Sequence, residues 1–145
     1  MNGSEIERRI SEIVQYGRVC EVQPEKGLCR LDLGSRVSPL VRWFDQRAGN
    51  AKRHFSHPDM GEQALLICPY GDSSQGVALV GIYSGRMPLP DGAGSKVDVT
   101  LWGDGAKVLV DQNAHVVKIE DSYGSYIKFE SGNIYLHSAG NIYLN

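Results

Sequence analysis

The chain has no long apolar run; its longest, Ala64 to Cys68, is far too short to cross a bilayer. Its first residues, MNGSEIERRI, lack the apolar core of a signal peptide, which predicts folding in a cytoplasm. Charge of either sign is not in excess. The formal net charge is −2, so no global attraction to nucleic acid or to an anionic membrane follows. Cysteine is scarce and odd in number: Cys20, Cys29 and Cys68, with no CxxC spacing, read as reduced, buried residues. Cys20 and Cys29 fall on neighbouring predicted strands without an obvious facing register, and a disulfide between them stays open. Catalytic patterns are missing too. There is no GxSxG, no Ser/His/Asp spacing and no phosphate-cradling glycine loop after a strand, which points away from an enzyme and from any cofactor.

What is present is a repeat. Glycine returns at 124, 132 and 140, a step of eight residues, and Gly-Asn-Ile-Tyr-Leu occurs twice. Within it Ile134 and Leu136 point one way and Asn133 and Tyr135 the other, because strand side chains alternate faces. Ile142 and Leu144 repeat that face one period later. Short strands with Gly turns at constant pitch predict a β-solenoid or β-helix. Each rung offers about two large apolar residues, roughly 3–6 kcal/mol if fully buried. Ordering an octad costs on the order of 10 kcal/mol. The repeat therefore needs partners, and three copies around one axis would bury the Ile/Leu faces. The trimer contacts are expected at Ile127, Phe129, Ile134, Leu136, Ile142 and Leu144.

The 145 residues, 41% hydrophobic and 22% charged, leave room for one compact domain before this tail. Ser4 with Glu7 fits a capping box, and Ile6, Ile10, Ile13 and Val14 recur at helical spacing. They predict a short helix within residues 1–15, from Glu5 to about Gln15, either packed on its own domain or presented to a partner. From Tyr16 the period becomes two. Strands are expected at Arg18–Val22, Leu28–Leu33, Leu40–Phe44, Glu62–Pro69 and Val77–Tyr83, the fourth of them buried and Asp45–Asp59 a long loop. Five strands within residues 16–84 suggest a small closed barrel of the OB kind. Residues 85–96 read as a linker rich in Pro and Gly. Residues 97–145 form a neck of short strands and then the ladder, with the apolar pairs Val108/Val110, Val117/Ile119, Ile127/Phe129, Ile134/Leu136 and Ile142/Leu144. The fold class expected is all-β with a short N-terminal helix, an OB-fold-like barrel, and a C-terminal triple-stranded β-helix formed by three chains.

Two constellations compete with this structural reading. His54-x-x-His57 followed by Asp59 has a spacing suited to metal ligands on a helix, but Pro58 and the lack of a helical period favour loop residues and no metal. Arg36, Arg42, Arg47, Lys52 and Arg53, interleaved with Trp43, Phe44 and Phe55, are the kind of set a barrel uses for single-stranded nucleic acid. The strand alternation and the acidic balance favour instead one aromatic in the core and arginines paired with a partner's acids.

Tyr16-Gly17-Arg18-Val19, Pro24-Glu25-Lys26-Gly27 and Arg30-Leu31-Asp32-Leu33-Gly34 resemble the opening of the phage baseplate assembly protein V family, the spike of contractile tails. The resemblance continues through Trp43-Phe44, Arg47-Ala48-Gly49, the run His57 to Gln63, Gly71 to Gly76 and Gly81-Ile82-Tyr83-Ser84, in order over most of residues 16 to 90. Gly103-Asp104-Gly105, Asp111 and His115 resemble that family's neck. The octads are similar to the β-helices of larger spikes and of type VI secretion valine-glycine repeat proteins. The resemblance implies a homotrimer in the tail baseplate of a virion, assembled in the host cytoplasm. Its barrels would join the tail hub protein and its shaft would lead the tube through the host outer membrane. Many members end in a His-x-His iron site, which is absent here. The sequence stops mid-pattern at Asn145, and the expectation is either a cut before the tip or a blunt spike that accepts a separate tip protein.

Overall fold

The computed structural model describes residues 2–145, in two compact units that divide between Pro88 and Leu89. The first opens with helix α1, Gly3–Ile13. Its cap is Asn2, whose side chain accepts from the Glu5 N–H at 2.9 Å, so the Ser4/Glu7 capping box does not form. The helix also stops earlier than its apolar period suggests. Val14 and Gln15 lie opposite Ile67 and Leu66 in a strand pairing, and that ladder takes them from the helix.

Strands β1 (Val14–Gln23), β2 (Leu28–Asp32), β3 (Val41–Trp43), β4 (Gln63–Ile67) and β5 (Val77–Ile82) follow. They close into a barrel in the order β1-β2-β3-β5-β4, with β3 and β5 parallel and every other pair antiparallel. This is the five-stranded OB-like arrangement. Pro24–Lys26 turns β1 into β2 as one 3₁₀ turn, closed by Gly27 at φ +67°. The barrel is filled by every second residue: Gly17 and Val19, Cys29 and Leu31, Val41, Ala64, Leu66 and Cys68, and Ala78 are buried. Trp43 packs on this core while Phe44 faces out, as the alternation requires. β4 is not buried on both sides: Ala64 and Leu66 face in, whereas Leu65 and Ile67 are only half-buried. The free thiol of Cys29 faces the core, and burial pushes it up to about 11. Cys20 sits at a bulge between Val19 and Glu21.

β2 runs past the start of β3, and Ser38 completes its edge. The Ser38 N–H donates to the Leu31 carbonyl at 2.8 Å, and its hydroxyl accepts from the Leu31 N–H at 2.9 Å and donates to the Pro39 carbonyl at 2.8 Å. Segment 45–56 is less irregular than its sequence. A bridge between Ala48 and Arg53 makes it a small hairpin, and the Asp45 carboxylate ties its base by accepting from His54, the Gln46 N–H and the Ser56 N–H.

The second unit is one antiparallel sheet of consecutive strands: β6 (Val97–Leu101), β7 (Lys107–Asp111), β8 (Val116–Glu120), β9 (Tyr126–Glu130) and β10 (Asn133–His137). Asp104, Asp111 and Asp121 each accept backbone N–H groups through Oδ1 and set the first three turns. The last is a two-residue turn, Ser131 and Gly132, both at positive φ (53° and 79°), the geometry of a tight hairpin. The octad glycines 124 and 132 thus mark hairpin reversals, and successive strands run in opposite directions within one sheet. The third copy differs from expectation. Gly140–Asn145 forms no strand.

Candidate assembly surfaces

A sheet with one apolar face is stable only when that face is covered by another layer. In the second unit the register gathers the apolar residues into two rows. Val108, Ile119, Ile127 and Leu136 face one another in sequence across β7 to β10, and Val110, Val117, Phe129 and Ile134 do the same. Among the described residues of this unit, no second layer covers them. Ile127 and Phe129 are 41% and 43% exposed, Ile134 and Leu136 66% and 62%.

Over β8 to β10 the opposite face is mostly polar and satisfies itself, while Leu109 and Val116 also lie on it. Lys118 lies 4.4 Å over the Tyr126 ring and pairs with Glu120 at 3.4 Å; Lys128 lies 4.9 Å over Tyr135 and pairs with Glu130 at 3.0 Å. Tyr126 stacks on His137. The Glu130 carboxylate bonded to Lys128 holds that ammonium above its ordinary range. These side chains lie flat on their own sheet, so the polar face is less exposed than the apolar one. That inversion is the strongest sign of a missing partner.

Of the six expected contact residues, the structure brings four together: Ile127 opposite Leu136 and Phe129 opposite Ile134. Ile142 lies by a shallow hollow of about 270 Å³ that Ile119, Ile127 and Leu136 also line. Leu144 stands apart at 90% exposure. Val108, Val110, Val117 and Ile119 belong to the same rows and are absent from the expected set. Their signal was the paired apolar spacing, which already runs through the neck.

The remaining candidates are elsewhere. His54 is engaged by Asp45, and His57 Nδ1 lies 2.9 Å from the Pro58 carbonyl. Burial pushes the Asp45 carboxyl up, but the hydrogen bonds from His54, Gln46 and Ser56 outweigh it and hold the group below the usual carboxylate range. Among the described residues no three His, Cys, Asp or Glu side chains are grouped to hold a metal ion. No helix among them is long and apolar enough to cross a membrane. Arg47, Lys52 and Arg53 lie on the small hairpin beside Phe55, whose ring is 6.1 Å from that of Trp43.

Comparison with known proteins agrees with this geometry. Residues 15–83, the barrel, match the family model described as the type VI secretion system/phage-baseplate injector OB domain. The chain is also 28% identical over 107 residues to the spike protein of Escherichia phage P2, covering 74% of this chain and 50% of that protein. It therefore spans about half the length of this curated relative. With a closed OB-like barrel in the matched segment and a likeness to a phage spike that extends beyond it, the chain is similar to phage baseplate spike proteins.

Proposed function

We propose that this protein is the central spike of a contractile phage tail or tail-like particle. Three chains associate through their C-terminal units, and a triple-stranded β-helix formed by three chains makes a rigid shaft. Ile127, Phe129, Ile134, Leu136, Ile142 and Leu144 line its interior, joined by Val108, Val110, Val117 and Ile119. The barrels attach to the tail hub, and the shaft leads the tube through the host outer membrane when the sheath contracts. The particle is assembled in the host cytoplasm, and the spike resides in the virion baseplate. Its work is mechanical, not catalytic: stiffness comes from closed interchain strand pairing that leaves no sheet edge free.

One observation carries this reading, the pair of bare apolar rows on β7 to β10 beside a self-satisfied polar face. Burying them against two further copies supplies the layer that a single chain lacks. Replacing Ile134 with Asp would set three carboxylates near one axis, where desolvation and mutual repulsion oppose association. Loss of the three-chain mass by light scattering is the expected outcome. A stable three-chain Ile134→Asp variant would contradict the arrangement.

A second reading, a single-strand nucleic-acid module oligomerised by its tail, rests on Arg47, Lys52 and Arg53 beside Phe55. A gel shift with single-stranded DNA at physiological salt separates the two. The spike reading predicts no sequence-tolerant, salt-sensitive complex.

A further inference from the structure

The barrel unit carries two apolar surfaces that its own chain leaves bare. One is the stripe of α1, where Ile6, Ile10 and Ile13 are 44%, 62% and 38% exposed. The other is the outer wall of the barrel. Tyr16 lies beside Leu65 and Leu65 beside Leu79. Phe44 follows Trp43, the partner of Ala78, and so extends the row beyond Leu79. Tyr16 and Phe44 remain 67% and 52% exposed. Single exposed apolar residues are ordinary, but a contiguous row of them marks an interaction surface.

The helix does not cover the wall of its own barrel. It enters β1 without a loop, and the Cys68 N–H donates to the Ile13 carbonyl at 2.7 Å. Gly71 presses on the Arg9 backbone so closely that a Cβ there would come 2.7 Å from the Arg9 carbonyl oxygen. α1 is therefore pinned at the end of the barrel, with its stripe available to another molecule.

We propose that this molecule is a second copy of the same chain: the α1 stripe of one protomer packs on the Tyr16–Leu65–Leu79–Phe44 wall of the next. A contact between two different patches is heterologous, and three copies close it into a ring. The proposal rests on the three-chain reading above, since a common shaft makes the contact effectively intramolecular. Charge fits as well. Glu5 and Glu12 are paired with Arg9 and Arg8, which leaves Glu7 as the helix acid without an ion pair among the described residues. On the outer face of β3, Arg42 lies next to Val77 and likewise forms no ion pair among the described residues.

The test places cysteines at both surfaces of the full chain, Ile10→Cys and Leu79→Cys, with Cys20→Ser to remove the half-buried native thiol. After mild oxidation, a denaturing gel without reductant should show bands of two and three chains that collapse on reduction. Either single variant should give no three-chain band. A three-chain solution mass with no cross-link, or with only a faster-running monomer, overturns the helix exchange and leaves the shaft standing. A one-chain mass overturns both. Hydrogen exchange of the unmodified chain gives a readout that needs no cysteines: the α1 amides should exchange on the order of tenfold or more slowly in the trimer than in Ile134→Asp. Equal rates overturn the proposal, as would protection that arises only when a different baseplate protein is added, which would give the stripe to that protein.

Discussion

Replacing Ser38 with Ala should destabilise the barrel more than any other loss of a single oxygen. Ser38 is 1% exposed, and its hydroxyl both accepts from the Leu31 N–H and donates to the Pro39 carbonyl. Leu31 is itself fully buried, so no water can replace the lost acceptor. Stranding a buried donor costs about 1–3 kcal/mol, and the second hydrogen bond adds about 1. A net loss of about 2–4 kcal/mol is expected, which moves a urea midpoint down by about 1–2 M for a domain of this size. The assay is urea unfolding followed by Trp43, made the single reporter by Trp102→Phe. Ser35→Ala, on the exposed side of the same loop, is the control and should shift stability by less than about 0.5 kcal/mol. If Ser38→Ala unfolds with the control, the hydroxyl is not closing the β2 edge and the reasoning fails.

Three further outcomes follow from the same geometry. Gly71→Ala combines a left-handed φ of +73° with the contact on Arg9; it should cost about 1–2 kcal/mol and release α1. Because a helix this short is marginal alone, far-UV circular dichroism should lose helical signal, and an unchanged spectrum would contradict the anchoring role. In the β9–β10 turn, Ser131→Asn should stabilise by a few tenths of a kcal/mol and Gly132→Ala destabilise by about 1, since both residues hold positive φ; shifts of the same sign in melting would count against that turn geometry. The Asp45 carboxyl lies below its unfolded value, so the stability it adds is complete above about pH 4 and is lost as pH falls through the lowered folded value. Hydrogen exchange at Ser56 should accelerate over that acid range, and Asp45→Asn should expose Arg47, Lys52 and Arg53 to trypsin at neutral pH; a resistant variant would show that the carboxylate does not hold the hairpin.

The barrel strands were legible because alternation and turn residues are local signals. Val19, Leu31 and Leu66 announce an inner face without reference to the rest of the chain. The parallel pairing of β3 with β5 was not legible, because it joins segments far apart in sequence and depends on closure. Val14 shows two local codes in conflict: its helical spacing was real, and the ladder with β4 prevailed. Ser38 was missed because a serine that completes a sheet edge looks, in SRVSPL, like any loop serine. The run from Ala64 to Cys68 hid its alternation, since Leu65 and Ile67 are as apolar as the residues they flank. In the C-terminal sheet, the spacing places Ile127, Phe129, Ile134 and Leu136 on one face, as the strand register does. It did not distinguish hairpin reversals from coiled rungs, because glycine at positive φ serves either, and it gave a strand to Gly140–Asn145, which has no pairing partner within its own chain.

The most direct test of the central claim is the solution mass of the purified chain by light scattering, before and after mild SDS without boiling. The account predicts a mass of three chains that survives SDS, because separating an interchain-paired shaft requires breaking every rung together. A one-chain mass at working concentration would mean that the apolar rows of β7 to β10 stay bare in solution, and the proposed shaft would be wrong.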